Sequence, residues 1–316
     1  MGGKTEGTEA QRTMAITVWP ATPGFAAEIG DVDLAQPLSA EDLAAIKQAF
    51  WDYGVLIFPG QELTEDEHLA FAGQFGELEQ VVFLKMNVKL RLRPELADVS
   101  NLNRHNEIWR DESRLRMIAA ANRLWHTDSS FKYLPARASL LYAREIPPVG
   151  GRTEFADLRA AYDALPDARK RQLEGLVAEH SLIYSRERTG FTGFSDDERT
   201  NLRPVPQVMV RTLPENQRRT LYLASHIGRI HGMADDQARA LVDELIAHAT
   251  QRQFVYSHRW RKHDLVMWDD RCTMHRGGDY DDLRWVRDLH RATVSDIANT
   301  CEQAGVAIIS GTEAPA

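Results

Sequence analysis

The chain has 316 residues, 43% hydrophobic and 27% charged, ordinary proportions for a globular protein large enough to bury a substantial core. Its formal charge of −8 speaks against a general nucleic-acid binder, since phosphate recognition needs a net basic face. Cys272 and Cys301 are the only cysteines, too few for a disulfide framework and compatible with a reducing cytoplasm.

Residues 1–13 are small and polar with no apolar segment, so a disordered extension is expected there and not a signal peptide. A single domain is expected over 14–300, followed by a tail over 301–316. No apolar run approaches bilayer length, so no membrane contact is expected and the cytoplasm is the expected location. Residues 16–34 read as two strands joined by a turn at Pro23-Gly24. Ser39-Ala40-Glu41-Asp42 resembles a capping box and opens a helix over 40–53; the apolar run 54–58 suits a buried strand. Thr64-Glu65-Asp66-Glu67 is a second capping box, leading a helix that ends near Gly76. Residues 85–122 lack a clear period and are expected to be long loops with at most short strands or turns, either a lid over a site or a surface excursion with no active role.

Beyond these loops, 137–146 reads as a strand, 157–164 as a helix, and Pro166 starts another helix running toward Glu179. Strand-like runs recur at 205–212, 219–223, 253–257, 265–268 and 290–295, with one more helix marked by Ala238, Leu241, Val242, Leu245 and Ile246. The expected fold class is α+β, mainly β: a double-stranded β-helix, or jelly roll, with helical decoration.

The most informative stretch is Leu124-Trp125-His126-Thr127-Asp128. On an extended strand, residues i and i+2 share a face, so His126 and Asp128 can reach one metal ion. The pattern alone is weak, and His105-Asn106-Glu107 repeats it. A third ligand is offered by His275, where the strand beginning at Leu265 has entered the turn Asp269-Asp270-Arg271 and returned. Two His and one carboxylate with open positions suit non-haem Fe(II) oxygenases. The same trio also suits a zinc-dependent hydrolase or a non-catalytic metal-binding sandwich. If 287–293 is a strand, Arg287 and Arg291 share a face and can pair carboxylates near the metal. His226 and His231 raise a second metal site as a minor alternative, and 258–263 reads as a solvated basic turn.

Four motifs carry a resemblance: Trp125-His126-Thr127-Asp128; Gly150-Gly151-Arg152-Thr153; Trp268-Asp269-Asp270-Arg271 with His275; and Arg287 with His290-Arg291-Ala292-Thr293. In order and spacing the chain resembles the taurine and chlorophenoxyacetate dioxygenases over residues 18–296. The resemblance implies dependence on Fe(II), 2-oxoglutarate and O2, with His126, Asp128 and His275 as iron ligands. It implies that Thr153 and Arg287 hold 2-oxoglutarate, with Trp268 packed near it. Arg291 would meet the anionic group of the primary substrate or help hold the cosubstrate, and Asn122 would be a further substrate contact. Val81 and Leu84 fall in a segment that lines the substrate pocket in the taurine branch, and their apolar character favours an aryl or alkyl group over a small sulfonate. Segments 150–162 and 180–185 look most like the phenoxypropionate-cleaving branch. The implied reaction is hydroxylation of a small apolar carboxylate of aryloxyalkanoate type with ether cleavage, releasing succinate and CO2. An N-acyl amino acid or an alkyl sulfonate is the alternative substrate. A homo-oligomer is the expected assembly.

Overall fold

The computed structural model describes residues 16–86, 89–109 and 114–307. The extension expected over 1–13 lies outside the described residues. Strands β1 (Thr17–Thr22) and β2 (Ala26–Gly30) form the expected hairpin. Helix α1 (Ala40–Tyr53) starts where Ser39 Oγ accepts the Asp42 amide and stops at Gly54, whose φ of 84° only glycine adopts freely. The chain then drops directly into β3 (Val55–Phe58). Helix α2 (Glu65–Ala72) has a complete capping box: Thr64 Oγ1 accepts the Glu67 amide, and the Glu67 carboxylate accepts the Thr64 amide at 2.7 Å. Thr64→Ala is expected to cost about 1 kcal/mol, read as a lower urea midpoint with an unchanged slope.

The region expected as long loops with at most short strands contains one such strand, β4 (Leu96–Ser100), and also a short helix that was not expected, α3 (Arg114–Ala120). Only Leu96 of β4 is fully buried, so the strand has no apolar alternation to betray it. Its ladder and the ion pairs of Arg91 with Asp98 and Asp288 hold it at the sheet edge. Next come β5 (Ala136–Glu145), β6 (Thr153–Asp157), α4 (Leu158–Asp163) and α5 (Asp167–Leu173). The helix expected to run toward Glu179 ends at Leu173 because Gly175 takes a φ of 70°. Residues beyond it form β7 (Val177–His180) instead, followed by α6 (Leu182–Glu187) and α7 (Asp196–Asn201).

The run expected over 205–212 breaks at Met209 into β8 (Val205–Val208) and β9 (Val210–Thr212), which pair with different partners. Then follow β10 (Arg219–Leu221), β11 (Ile227–Ile230), α8 (Asp235–Ala249), β12 (Val255–His258), β13 (Leu265–Asp269), β14 (Thr273–Gly277) and β15 (Asp288–Ser295). Helix α9 (Thr300–Gln303) buries Thr300 and Cys301, and Thr300 Oγ1 bonds both the Val208 amide and Gln207.

The elements form layers. A seven-stranded sheet runs in the order β1-β2-β3-β13-β5-β15-β4. One face carries α1 and α2, which bury Ile46, Phe50, Leu69 and Phe71 against Leu56, Leu140, Leu265, Met267 and Val294. The opposite face supplies Val55, Ile57, Leu141, Val266, Trp268 and Leu289, which meet Phe155 of β6. Strand β13 is thus buried on both sides, which explains its unbroken apolar sequence, and each such side chain contributes about 1.5–3 kcal/mol. The second layer holds the three-stranded sheets β12-β6-β14 and β11-β7-β8, backed by α4 and α8. This is the expected jelly-roll core with helical decoration. Among the described residues, no helix is long and apolar enough to cross a membrane.

Candidate active site

The site lies between the layers, where β14 returns from β13. The turn is tied by Asp269, whose carboxylate accepts the Arg271 amide and its guanidinium at 2.7 Å, while Arg271 also reaches Glu215. Strand β14 then carries His275 inward. Opposite it, His126 is not part of a continuous strand. It makes a single antiparallel bridge with His275 through two backbone bonds, His126 N to His275 O at 3.0 Å and His275 N to His126 O at 2.8 Å. The backbone is extended enough that Thr127 turns away, its hydroxyl 2.9 Å from the carbonyls of Leu223 and Thr273. His126 and Asp128 therefore share a face, as the i, i+2 argument requires.

His126, Asp128 and His275 bring ligand atoms within 4.8 Å of one another, and all three are buried. Among the described residues they are the only such metal-capable group. His126 Nδ1 sits 2.8 Å from Leu124 O, to which it donates, leaving Nε2 as the acceptor that faces Asp128. Burial pushes the imidazoles of His126 and His275 down, which keeps both neutral and able to ligate. Burial alone raises the Asp128 carboxyl, but the Arg291 guanidinium leads the interactions that overcome it and hold it at about 2. Ser139 Oγ donates to Asp128 Oδ2 at 3.0 Å, and Arg291 Nη1 donates to Oδ1. Asp270 accepts the Asp128 amide and the Trp268 indole, fixing both in one gesture.

A cavity of about 450 Å³ opens from the two histidines. Its deep end is lined by Thr153, Trp268, Leu141 and Arg287. Arg287 precedes β15 instead of lying within it, yet it shares the cavity with Arg291 as expected. Asn101 clamps its backbone, accepting the Arg287 amide at 2.9 Å. The guanidinium is buried and makes only long bonds, 3.4 Å, to the carbonyls of Gly151 and Val99. No acidic side chain among the described residues is within ion-pair distance of it. Thr153 Oγ1 accepts the Trp260 indole N–H at 3.0 Å, which leaves its own proton to donate into the cavity. Gly151 is required here: at a φ of 65°, a Cβ would lie 2.7 Å from the Pro147 ring.

A second, smaller cavity of about 100 Å³ meets the first at His126, Asn122 and Arg291. Val81 lines it, as does Val82, whereas Leu84 does not. Residues 82–86 form a 3-10 helix and not the expected apolar run into a pocket, so Leu84 is turned outward and is 43% exposed. Ile118, Phe131 and Leu182 complete the apolar wall.

Other expectations are corrected. His226 and His231 make no second metal site: His226 Nδ1 bonds Ser130 Oγ, while His231 faces Glu179 at 3.2 Å. His226 instead lines the smaller cavity, its ring 6.0 Å from that of His126. Segment 258–263 is not simply a solvated turn, since His258 and Trp260 are buried and Trp260 is the partner of Thr153. Arg186 of α6, which no sequence motif signalled, also lines the smaller cavity.

A jelly roll that presents two His and one carboxylate, with an unpaired arginine across the cavity, defines a non-haem metal centre built to receive an anionic chelator. The family model "Taurine catabolism dioxygenase TauD, TfdA family" matches residues 17–293. The chain is 43% identical over 287 residues to the α-ketoglutarate-dependent 2,4-dichlorophenoxyacetate dioxygenase of Cupriavidus pinatubonensis, covering 90% of this chain and 99% of that one. It is 34% identical to the (S)-phenoxypropionate/α-ketoglutarate dioxygenase of Delftia acidovorans, covering 86% and 91%. The crystal structure of AAD-2 in complex with Mn(II) and N-oxalylglycine superposes with a TM-score of 0.84 at 43% identity, covering 91% of this chain and 99% of that one. The chain belongs to the TauD/TfdA dioxygenase family. It is a 2-oxoglutarate-dependent non-haem iron dioxygenase, which sets aside the hydrolase and the non-catalytic sandwich.

Proposed function

We propose that the enzyme hydroxylates an aryloxyalkanoate at the carbon beside its ether oxygen, giving a hemiacetal that collapses to a phenol and a 2-oxo acid. The observation that carries this reading is the smaller cavity at His126: it joins an apolar side, Val81, Val82, Ile118, Phe131 and Leu182, to a cationic one, and Arg291 stands at its junction with the metal site. The relatives that act on chlorophenoxy and phenoxypropionic acids support the same class.

When bound, Fe(II) and 2-oxoglutarate supply, with O2, the oxidising power to hydroxylate an unactivated C–H bond, leaving succinate and CO2. His126, Asp128 and His275 would hold the iron. Arg287 would neutralise the distal carboxylate of 2-oxoglutarate, Thr153 would donate to it, and Trp268 would wall the same space. Arg291 keeps Asp128 ionised and offers its remaining N–H groups to the substrate's anionic end. Asn122 faces both cavities and would orient the substrate between them. The apolar walls exclude water from the reacting carbon. Two buried free cysteines suit a cytoplasmic enzyme, and a homo-oligomer is the common assembly for such proteins.

Two measurements test the proposal. Anaerobic addition of Fe(II) and then 2-oxoglutarate is expected to give a visible charge-transfer band in the wild type and none in His126→Ala; a full-strength band in the variant removes His126 from the ligand set. Succinate release is then expected with phenoxyacetate and 2-phenoxypropionate, whereas release confined to N-acyl amino acids or sulfonates refutes the aryloxyalkanoate reading.

A further inference from the structure

Three cationic side chains besides the histidines line the smaller cavity: Lys132, Arg186 and Arg291. Two have carboxylate partners. Lys132 Nζ lies 2.6 Å from Glu79, and Arg291 is bonded to Asp128. Arg186 has none among the described residues. It is 8% exposed, its Nε is buried without a hydrogen-bond partner, and its recorded side-chain bond is Nη1 to Ser185 Oγ at 2.9 Å. Ser185 Oγ in turn donates to Leu182 O, so the guanidinium is aimed by a short polar chain within α6.

Its surroundings make the unpaired charge more conspicuous. Leu182, Ile183, Phe191, Phe194, Ile118 and Met86 form an apolar cluster around this end of the cavity. Burial pushes the Arg186 guanidinium down to about 10, which still leaves it charged at neutral pH. A dry cation with no carboxylate in contact, sensing Asp128 only at a distance and repelled by Arg291, is unfavourable in the free enzyme, and an anion entering the cavity relieves it. The larger cavity shows the same arrangement with Arg287. Each cavity thus has one buried guanidinium with no carboxylate in contact, and the two cavities meet at His126. Arg186 does not line the cavity of Thr153 and Arg287, so its anion is not the distal carboxylate of 2-oxoglutarate.

We infer that Arg186 is a second, charge-selecting anchor of the primary substrate, taking its carboxylate together with the N–H groups that Arg291 does not spend on Asp128. The inference rests on the aryloxyalkanoate reading for its ligand class. It makes Arg186 a specificity residue: it discriminates acids from neutral isosteres and takes no part in hydrogen abstraction.

The test uses Arg186→Met, similar in length without the charge, and Arg186→Lys. Removal of an unpaired buried cation is expected to leave the melting temperature equal or higher, and the anaerobic Fe(II)/2-oxoglutarate band intact. In Arg186→Met, the KM for phenoxyacetate is expected to rise about thirty-fold or more, with kcat and the KM for 2-oxoglutarate held within a few-fold. Arg186→Lys recovers part of the loss. Calorimetric titration of phenoxyacetate into protein loaded with Mn(II) and 2-oxoglutarate under nitrogen should show the same weakening without turnover. The neutral probe phenoxyacetamide should bind wild type and Arg186→Met alike. Wild-type binding of phenoxyacetate that survives unchanged in Arg186→Met, or a rise in the 2-oxoglutarate KM instead, overturns the anchor and leaves the substrate reading standing. Absence of phenoxyacetate binding in the wild type sinks both.

Discussion

Replacement of Arg287 by leucine is expected to raise the KM for 2-oxoglutarate by about a hundredfold while leaving the unfolding temperature of the metal-free enzyme unchanged or higher. The two halves of this result come from one fact. Arg287 is buried with no acidic partner among the described residues and makes only 3.4 Å bonds to two carbonyls, so the free protein gains little from its charge. Burial lowers its pKa, a sign that the folded state bears the desolvation. On the proposed reading, the cosubstrate's carboxylate would offset it. Activity titrations with 2-oxoglutarate beside thermal melts in its absence separate the two quantities. A variant that melts well below wild type with an unchanged KM would show that Arg287 serves the fold instead.

Arg159→Ala is expected to do the reverse, costing about 3–5 kcal/mol of stability from a position outside both cavities. Arg159 is completely buried on α4. Its guanidinium bonds both oxygens of Asp157 and reaches Trp51 O, Asp52 O and Tyr53 O, the last at 2.6 Å. Those carbonyls are the unpaired end of α1, and Arg159 satisfies them where the helix turns into β3. Its removal strands a buried carboxylate and a helix terminus together. Urea unfolding measures the loss; a shift below about 1 kcal/mol would rank this cluster with ordinary surface ion pairs.

Arg287 and Arg159 also mark what was legible in the sequence. That His126, Asp128, His275, Thr153 and Arg287 would converge on one place was legible because their motifs are short and dense in chemistry. Helices α1 and α2 were legible from Ser39, Thr64 and the apolar spacing behind them. Strand β13 announced itself because both faces are buried. Strand β4 did not, since Asp98 and Ser100 serve Arg91 and leave one buried apolar residue. Strand β7 was read as helix because its identity depends on pairing with β8 and β11, which no local pattern records. Leu84 failed for a geometrical reason, as a 3-10 turn rotates alternate residues differently from a strand. Arg186, His226 and Trp260 are joined to the site only by folding. The signal that could have raised Arg186 was chemical: an arginine two positions beyond the apolar run Leu182-Ile183-Tyr184.

The paired backbone bonds between His126 and His275 have a consequence for assembly. They hold two ligands 149 positions apart in register through main-chain atoms alone, and Thr127 pins the same junction to Leu223 and Thr273. The pincer is sprung by the sandwich and not by the ion. Metallation then becomes a late, reversible event on a finished scaffold: a chelator should strip the centre without unfolding it, and the emptied protein should reload without a refolding step.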